Sequence, residues 1–129
     1  MNIFLICPVT RVVEEEQKKI RKYVEDLEKK GNSVHWPMRD TEQNDPTHGY
    51  EICKTNFQAI IAADEIHIWY NETSGGSKFD MGGTFMLVEI LGMSKKIIIA
   101  NDGELEIGAK KSFLHVFRRI MTQQDLLEE

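Results

Sequence analysis

A run of small residues comes directly before a carboxylate in the middle of the chain. Ser74, Gly75, Gly76 and Ser77 are followed by Asp80 and then by Gly82. Free backbone N–H groups in a glycine and serine turn, and at the start of a helix, favour an anion. The segment therefore predicts a phosphate site over residues 74–77, with an ionised Asp80 at the start of the helix that follows.

An ionised carboxylate beside a phosphate site is placed to attack the anomeric carbon of a nucleotide sugar, the covalent route of retaining glycosyl transfer. An alternative interpretation stays open: the segment is a flexible turn and Asp80 an ordinary helix cap. The spacing of the glycines matches neither a Walker A loop nor the GxGxxG pattern. The site chemistry therefore depends on the elements that position Asp80.

Short β-rich runs alternate with helical segments along the chain, which is typical of βαβ units and a parallel sheet. The predicted strands are Asn2–Ile6, Ser33–Trp36, Glu65–Tyr70 and Lys96–Ala100. The predicted helices are 13–30, 50–63, 80–91 and 111–121. These elements predict one α/β domain over residues 1–129, a three-layer Rossmann-like or flavodoxin-like fold with strand order 2-1-3-4.

In that strand order the ligand crevice opens between the first and third strands, where the connections switch sides. Two segments then face each other: residues 71–80 after the third strand, and a loop after the first strand that contains Cys7, Pro8, Thr10 and Arg11. The polar stretch 37–49 is the longest loop, and loops of that length are usually functional or disordered. Topology thus selects the loops that form the site.

The run 52–66 and the run 74–82 together resemble the nucleoside 2-deoxyribosyltransferase superfamily, including its nucleotide N-glycosidase branch. Members have a helix, an "ADxxI" strand entry, a glycine-containing loop and a "Glu-Leu-Gly" helix start in this order, and Ala63-Asp64 and Asp80-Met81-Gly82 stand at the corresponding places. The resemblance covers roughly the central third of the chain.

The resemblance implies a role for individual residues. Asp80 stands where the family has its nucleophilic glutamate, Gly82 matches the glycine of that motif, and Cys7-Pro8 resembles the loop that lines the base pocket. Asn56 and Ser74 are neutral where deoxyribose-transferring members often have aspartates. With neutral residues at these two places, the base that leaves lacks its usual proton donor. Glu72, Asp40 and Asp45 are candidates to replace that donor.

A phosphate-holding form of the site would use serine and glycine in this loop, so a nucleoside 5′-monophosphate is expected rather than a free nucleoside. Arg11 or Arg39 is expected to pair with the phosphate. The candidate catalytic residues are thus Asp80, Asn56 and Ser74. The candidate binding residues are Cys7, Pro8, Thr10, Arg11, Gly75, Gly76, Ser77 and Gly82.

Composition limits the class of protein. A net charge of −5 argues against a nonspecific grip on DNA or RNA, so a small nucleotide or nucleoside is the expected partner. The apolar start at Asn2–Ile6 is too short for a signal peptide, and the two cysteines form no CxxC or Cys/His spacing. The sequence therefore predicts a cytoplasmic protein without membrane association, metal or cofactor.

Two further side-chain patterns concern packing. His67 alternates with Ile66 and Ile68, which predicts a hydrogen-bonded core histidine outside the site. Trp36, at the end of the second strand, either stacks on a base or closes the sheet.

The segment 80–91 is apolar on more sides than one sheet face covers, which predicts a homodimer or a larger homo-oligomer.

Three functions remain open from the sequence. The first is hydrolysis or transfer at the N-glycosidic bond of a nucleoside 5′-monophosphate, with Asp80 as nucleophile or electrostatic stabiliser. The second is a catalytically degenerate relative that binds a nucleotide without turning it over, as the missing carboxylates indicate. The third is an NAD-cleaving domain similar to TIR domains, which also needs a carboxylate beside the sheet.

Overall fold

The computed structural model describes residues 1–105 and 111–128 as a parallel sheet flanked by helices. Its strands are β1 (Asn2–Ile6), β2 (Ser33–His35), β3 (Glu65–Ile68) and β4 (Lys96–Ile99). Its α-helices are α1 (Glu14–Lys29), α2 (Pro37–Asp40), α3 (Tyr50–Ala62), α4 (Gly75–Phe85) and α5 (Phe113–Glu128). A π-helical turn, Met86–Ile90, continues α4, and a 3₁₀ turn, Asp102–Glu104, follows β4.

The sheet has the strand order β2-β1-β3-β4, and all three strand pairs are parallel. Ile3 pairs with Val34 on one side and with Glu65 on the other, so β1 is a central strand. The prediction of an α/β fold with order 2-1-3-4 is therefore confirmed. The chain reverses its winding direction between β1 and β3, which opens a crevice at the carboxyl ends of these two strands.

Each face of the sheet has its own apolar core. Phe4 and Ile6 point to the face covered by α3, α4 and α5, where Ile60, Met81 and Phe117 are buried. The alternate residues of β1, Ile3 and Leu5, point to the face covered by α1, where Ile20, Val24 and Trp36 are buried. Side chains of a strand alternate between the two faces, so β1 is apolar throughout because both faces are covered.

Most predicted boundaries lie within one or two residues of the observed ones. The exception at the end of the chain is α5, which begins at Phe113 and continues seven residues beyond the predicted end at Met121. No helix in residues 1–105 and 111–128 is long and apolar enough to cross a membrane.

The start of α4 corrects the sequence prediction. The helix begins at Gly75, not at Asp80, because Ser74 is its N-cap: the Ser74 hydroxyl accepts a hydrogen bond from the Ser77 backbone N–H at 3.2 Å. Such a cap satisfies one of the free N–H groups at a helix start. Asp80 therefore lies in the second turn of α4, and the prediction of a carboxylate at the helix N-terminus was wrong.

Helices α3 and α4 approach each other closely at Gly83. A Cβ atom built on Gly83 would lie 2.0 Å from Cε1 of Phe57, far inside van der Waals contact. Only glycine allows this approach, because any side chain would push the Phe57 ring away. Gly83 lies one helical turn after Asp80, so the contact also fixes the distance of Asp80 from α3.

Candidate functional site

A cavity of about 530 Å³ lies at the carboxyl ends of β1 and β3. Its walls are the loop after β1, the face of α3 that starts at Ile52, and the loop and first turns of α4. This volume is in the range of small-molecule sites, about 300–1,000 Å³. The position at the switch point of the sheet is the one that the strand order predicts.

Nine of the eleven predicted site residues line this cavity, and the structure brings them together from three separate segments. They are Cys7, Pro8, Thr10, Arg11, Asn56, Ser74, Gly75, Gly76 and Asp80. The other two do not line it. Ser77 is buried behind the cap, where its hydroxyl accepts a hydrogen bond from Ser74, and Gly82 is exposed at another position of α4.

Asp80 is the central polar group of the cavity wall. It is only 8% exposed, and within residues 1–105 and 111–128 no hydrogen-bond donor reaches its carboxylate. Burial disfavours the charged form and raises the pKa of Asp80 from 3.8 to about 7. The expectation of a helix start that keeps Asp80 fully ionised is therefore wrong, since both forms of the carboxyl are populated near neutral pH.

Both cysteines of the chain flank Asp80 on the cavity wall. Burial raises the pKa of the Cys7 thiol to about 12, and it also raises the pKa of the Cys53 thiol. Negative charge on Asp80 adds to both shifts, which shows that the thiols lie near the carboxylate. Cys7 and Cys53 are therefore neutral wall groups at pH 7 and not activated nucleophiles.

Asn56 has a fixed orientation at the cavity. Its Oδ1 accepts a hydrogen bond of 2.8 Å from the Thr41 hydroxyl, and both side chains are buried. No acceptor within the described residues takes the Nδ2 hydrogens of Asn56. The amide is thus placed to donate a hydrogen bond to a ligand in the cavity, and it has no proton to transfer.

Arg11 is the one cationic side chain on the wall that residues 1–105 and 111–128 form. Its backbone has a φ of 58°, a left-handed conformation that is uncommon outside glycine and is often found at functional sites. Arg39, the other predicted phosphate partner, lies elsewhere. Its guanidinium donates two hydrogen bonds of 3.0 Å to Glu28 and further ones to Asp40, so Arg39 is occupied by structural pairs.

None of the three carboxylates considered as proton donors lines the cavity. Asp40 pairs with Arg39 and accepts the Trp36 backbone N–H at 2.8 Å. Glu72 accepts the Tyr70 hydroxyl at 2.6 Å.

Asp45, the third of these carboxylates, is engaged in the loop before α3. It accepts hydrogen bonds from the hydroxyl and the backbone N–H of Thr47, which help to lower its pKa to about 2. A carboxyl with that pKa carries no proton to donate at neutral pH.

The sequence reasoning missed four wall residues: Pro37, Gln43, Ile52 and Cys53. Helical spacing could have identified two of them, because Ile52 and Cys53 lie four and three residues before Asn56 and share its face of α3. Gln43 had no such signal. It lies on the wall because its amide donates to the carbonyls of Pro37 and Thr41 and folds the long loop inward.

Trp36, a candidate for stacking on a base, and the ionisable residue His67 both lie outside the cavity wall. Trp36 is 1% exposed and is part of the core on the α1 side, so it closes the sheet and is not placed to stack on a base. His67 is buried, as predicted, with hydrogen bonds of 2.6 Å to the Tyr23 hydroxyl and 2.8 Å to Glu65.

Within residues 1–105 and 111–128, no three His, Cys, Asp or Glu side chains are grouped so that they could hold a metal ion. On the part of the wall that the structure describes, the functional groups are therefore one carboxyl, one guanidinium, two thiols, amides and hydroxyls. Comparison with protein-family models, with curated proteins and with solved structures finds no match to this chain.

Proposed function

We propose that this protein cleaves or transfers the N-glycosidic bond of a nucleoside 5′-monophosphate. The observation that carries the proposal is Asp80: a buried carboxyl with a pKa of about 7 and no hydrogen-bond partner among the described residues, open to a cavity at the switch point of the sheet. Carboxyls with strongly perturbed pKa values in clefts are typical of catalytic sites. The resemblance to the nucleoside 2-deoxyribosyltransferase superfamily supports the same role for Asp80.

In this reaction Asp80 acts in its ionised form. As the bond to the base breaks, C1′ of the sugar gains positive charge, and a carboxylate with little solvent around it stabilises that charge strongly. The same oxygen can form the covalent sugar ester. Asp80 is a methylene shorter than the glutamate of the family, so the sugar must approach α4 closely.

The phosphate end of the substrate is expected at the start of α4. The backbone N–H groups of Gly75 and Gly76 belong to the first helical turn, and a Cβ atom built on either residue would meet no other group within 4 Å. Arg11 lies on the same cavity wall and supplies the positive charge. A helix N-terminus and one guanidinium together favour a phosphate over the hydroxyl of a free nucleoside.

The test is an assay of free base after incubation with the common ribonucleoside and deoxyribonucleoside 5′-monophosphates and with NAD. Wild-type protein should release base from at least one monophosphate. Asp80→Asn, which keeps the size of the side chain, should lower the release about 10³-fold or more and leave the dissociation constant of the substrate within about threefold.

Asp80→Glu is the matched control, because it restores the reach that the resembling family uses and should preserve or raise the activity. If wild-type protein releases no base from any monophosphate but still binds one, the protein is a nucleotide-binding module. The absence of a second carboxyl from the described wall favours that second candidate. Release that survives Asp80→Asn would show that another group carries the reaction.

We also propose that the protein works as a homodimer in the cytoplasm. Five large apolar side chains of the α4 segment are exposed: Phe79, Phe85, Met86, Ile90 and Leu91. An apolar patch of this kind on one helix is typical of a subunit interface. Light scattering at micromolar concentration tests this, and a monomer mass would contradict it.

A further inference from the structure

The cavity wall has a second property that bears on the substrate: among the residues that the structure describes, it has no group suited to protonate a leaving base. Among the wall residues that the structure describes, the ionisable ones are Cys7, Arg11, Cys53 and Asp80. Burial raises the pKa of both thiols and so makes them weaker proton donors than a free thiol, and a guanidinium does not release its proton. Asn56 and Ser74 stand at the positions of the family's aspartates and are neutral.

The only remaining acid on this wall is Asp80, and the proposed reaction needs it ionised. A single carboxyl cannot stabilise the positive sugar as an anion and donate a proton to the base in the same step. Ordinary purines and pyrimidines leave as anions unless they are protonated, so their departure from this site would lack general acid catalysis, which contributes about 10²- to 10⁴-fold.

Resting on the proposed function, we infer that the substrate is a ribose 5′-phosphate N-glycoside whose base already carries a positive charge, as a pyridinium or an N-alkylated purine does. Such a base leaves as a neutral molecule and needs no proton. A wall with one carboxylate and no proton donor is complete for this substrate class. The 5′-phosphate lies at Arg11 and the start of α4.

The charges and bonds balance without a co-reactant other than water. The Asp80 carboxylate forms a bond to C1′ while the bond from C1′ to the base nitrogen breaks, and the bonding pair neutralises the cationic base. Water then attacks C1′, the ester bond to Asp80 breaks, and the carboxylate returns. The products are the neutral base, ribose 5-phosphate and one proton released to solvent.

The test compares pairs of substrates that differ in charge and little else. The first pair is nicotinamide mononucleotide and its reduced, uncharged form; the second is N7-methylguanosine 5′-monophosphate and guanosine 5′-monophosphate. Rates are measured at pH 8 and divided by the rates of the same compounds without protein. After that correction, the acceleration of the neutral member should not exceed that of the cationic member, whereas a general acid on the wall would add about 10²- to 10⁴-fold to the neutral member alone.

A corrected acceleration that is larger for the neutral member than for the cationic member in both pairs overturns this inference and leaves the proposed function standing. No release from any compound overturns both. Asp80→Asn must abolish release from the cationic compounds, with Asp80→Glu as the matched control. Release that persists in Asp80→Asn also overturns the inference, because the reaction would then not depend on this carboxyl.

Discussion

Asp80 and His67 are both ionisable and both buried, but they differ in the hydrogen-bond partners that surround them. His67 is 3% exposed, and each of its ring nitrogens has a hydrogen-bond partner, Tyr23 on one side and Glu65 on the other. Asp80 is 8% exposed, and no side chain or backbone donor of the described residues reaches its carboxylate. One group is closed into the core, and the other faces a cavity.

The difference teaches that burial alone does not mark a functional group. A buried polar group with all its partners stabilises the fold, whereas a buried group without partners costs stability and persists where it has another use. Burial shifts both pKa values toward the neutral form, downward for His67 and upward for Asp80. Hydrogen-bond partners offset the cost of burial at His67, whereas no partner among the described residues offsets it at Asp80. The following experiments test that contrast.

The largest expected effect is on the pH dependence of stability. The folded pKa of about 7 for Asp80 lies above the ordinary value of 3.8. Between these values the folded chain binds more protons than the unfolded chain, so stability falls as the pH rises. Across this window, wild type should lose about 4 kcal/mol relative to Asp80→Asn. Urea unfolding of both proteins from pH 4 to pH 8 measures the difference, and parallel curves would contradict it.

The second effect concerns His67. His67→Ala leaves the Tyr23 hydroxyl and the Glu65 carboxylate without their partner and removes a buried ring, so it should lower the free energy of unfolding by about 3 kcal/mol. Base release per folded molecule should stay within about twofold of wild type. Tyr23→Phe is the matched control and should cost about 1 kcal/mol. If base release were lost without a loss of stability, His67 would belong to the site and the contrast with Asp80 would be wrong.

The third effect is on the rate. Because Asp80 acts when ionised, the kcat/KM of base release should fall about tenfold from pH 8 to pH 6, which corresponds to about 1.4 kcal/mol. The rate should follow one ionisation near pH 7, since burial keeps both cavity thiols neutral there. Stopped assays over this range measure it. A rate that rises toward low pH would indicate that the protonated carboxyl is the active form.

The smallest expected effect concerns Ser74, whose hydroxyl, like the ring of His67, has hydrogen-bond partners within the fold. Ser74→Ala removes the cap of α4 and should cost about 1 kcal/mol of stability. Ser74→Asp is the matched control: it restores the cap, but its negative charge should weaken the binding of a monophosphate. Thermal unfolding and a binding titration separate the two results. Equal binding by both variants would mean that the phosphate lies away from the start of α4.

The sequence predicts the fold well because its signals are local and repeated. The β1 run Asn2–Ile6 is found as predicted, and Gly31 ends α1 because it takes up a left-handed conformation with a φ of 95°. The start of α4 is mispredicted for a physical reason. Gly75 and Gly76 are weak helix formers, and the Ser74 cap together with packing against the rest of the fold overrides that preference.

The site is predictable in its location and not in its electrostatics. Strand order alone brings Cys7 and Ser74 to one cavity, and helical spacing extends the prediction to Cys53. The pKa of Asp80 depends on how far α3 and α4 exclude water from it, which is a property of packing in three dimensions. For the same reason, the sequence could not show that Arg39 is bound to Glu28 and that Arg11 is left for a ligand.

The contact between Gly83 and Phe57 links helix packing to acidity. The hydrogen atom on Gly83 lets α4 lie against the Phe57 ring, about one helical turn from Asp80. A methyl group at position 83 would separate the two helices, admit solvent and return Asp80 toward the acidity of an ordinary surface carboxyl. We therefore expect one missing methyl group to set the proton affinity of a side chain that it does not touch.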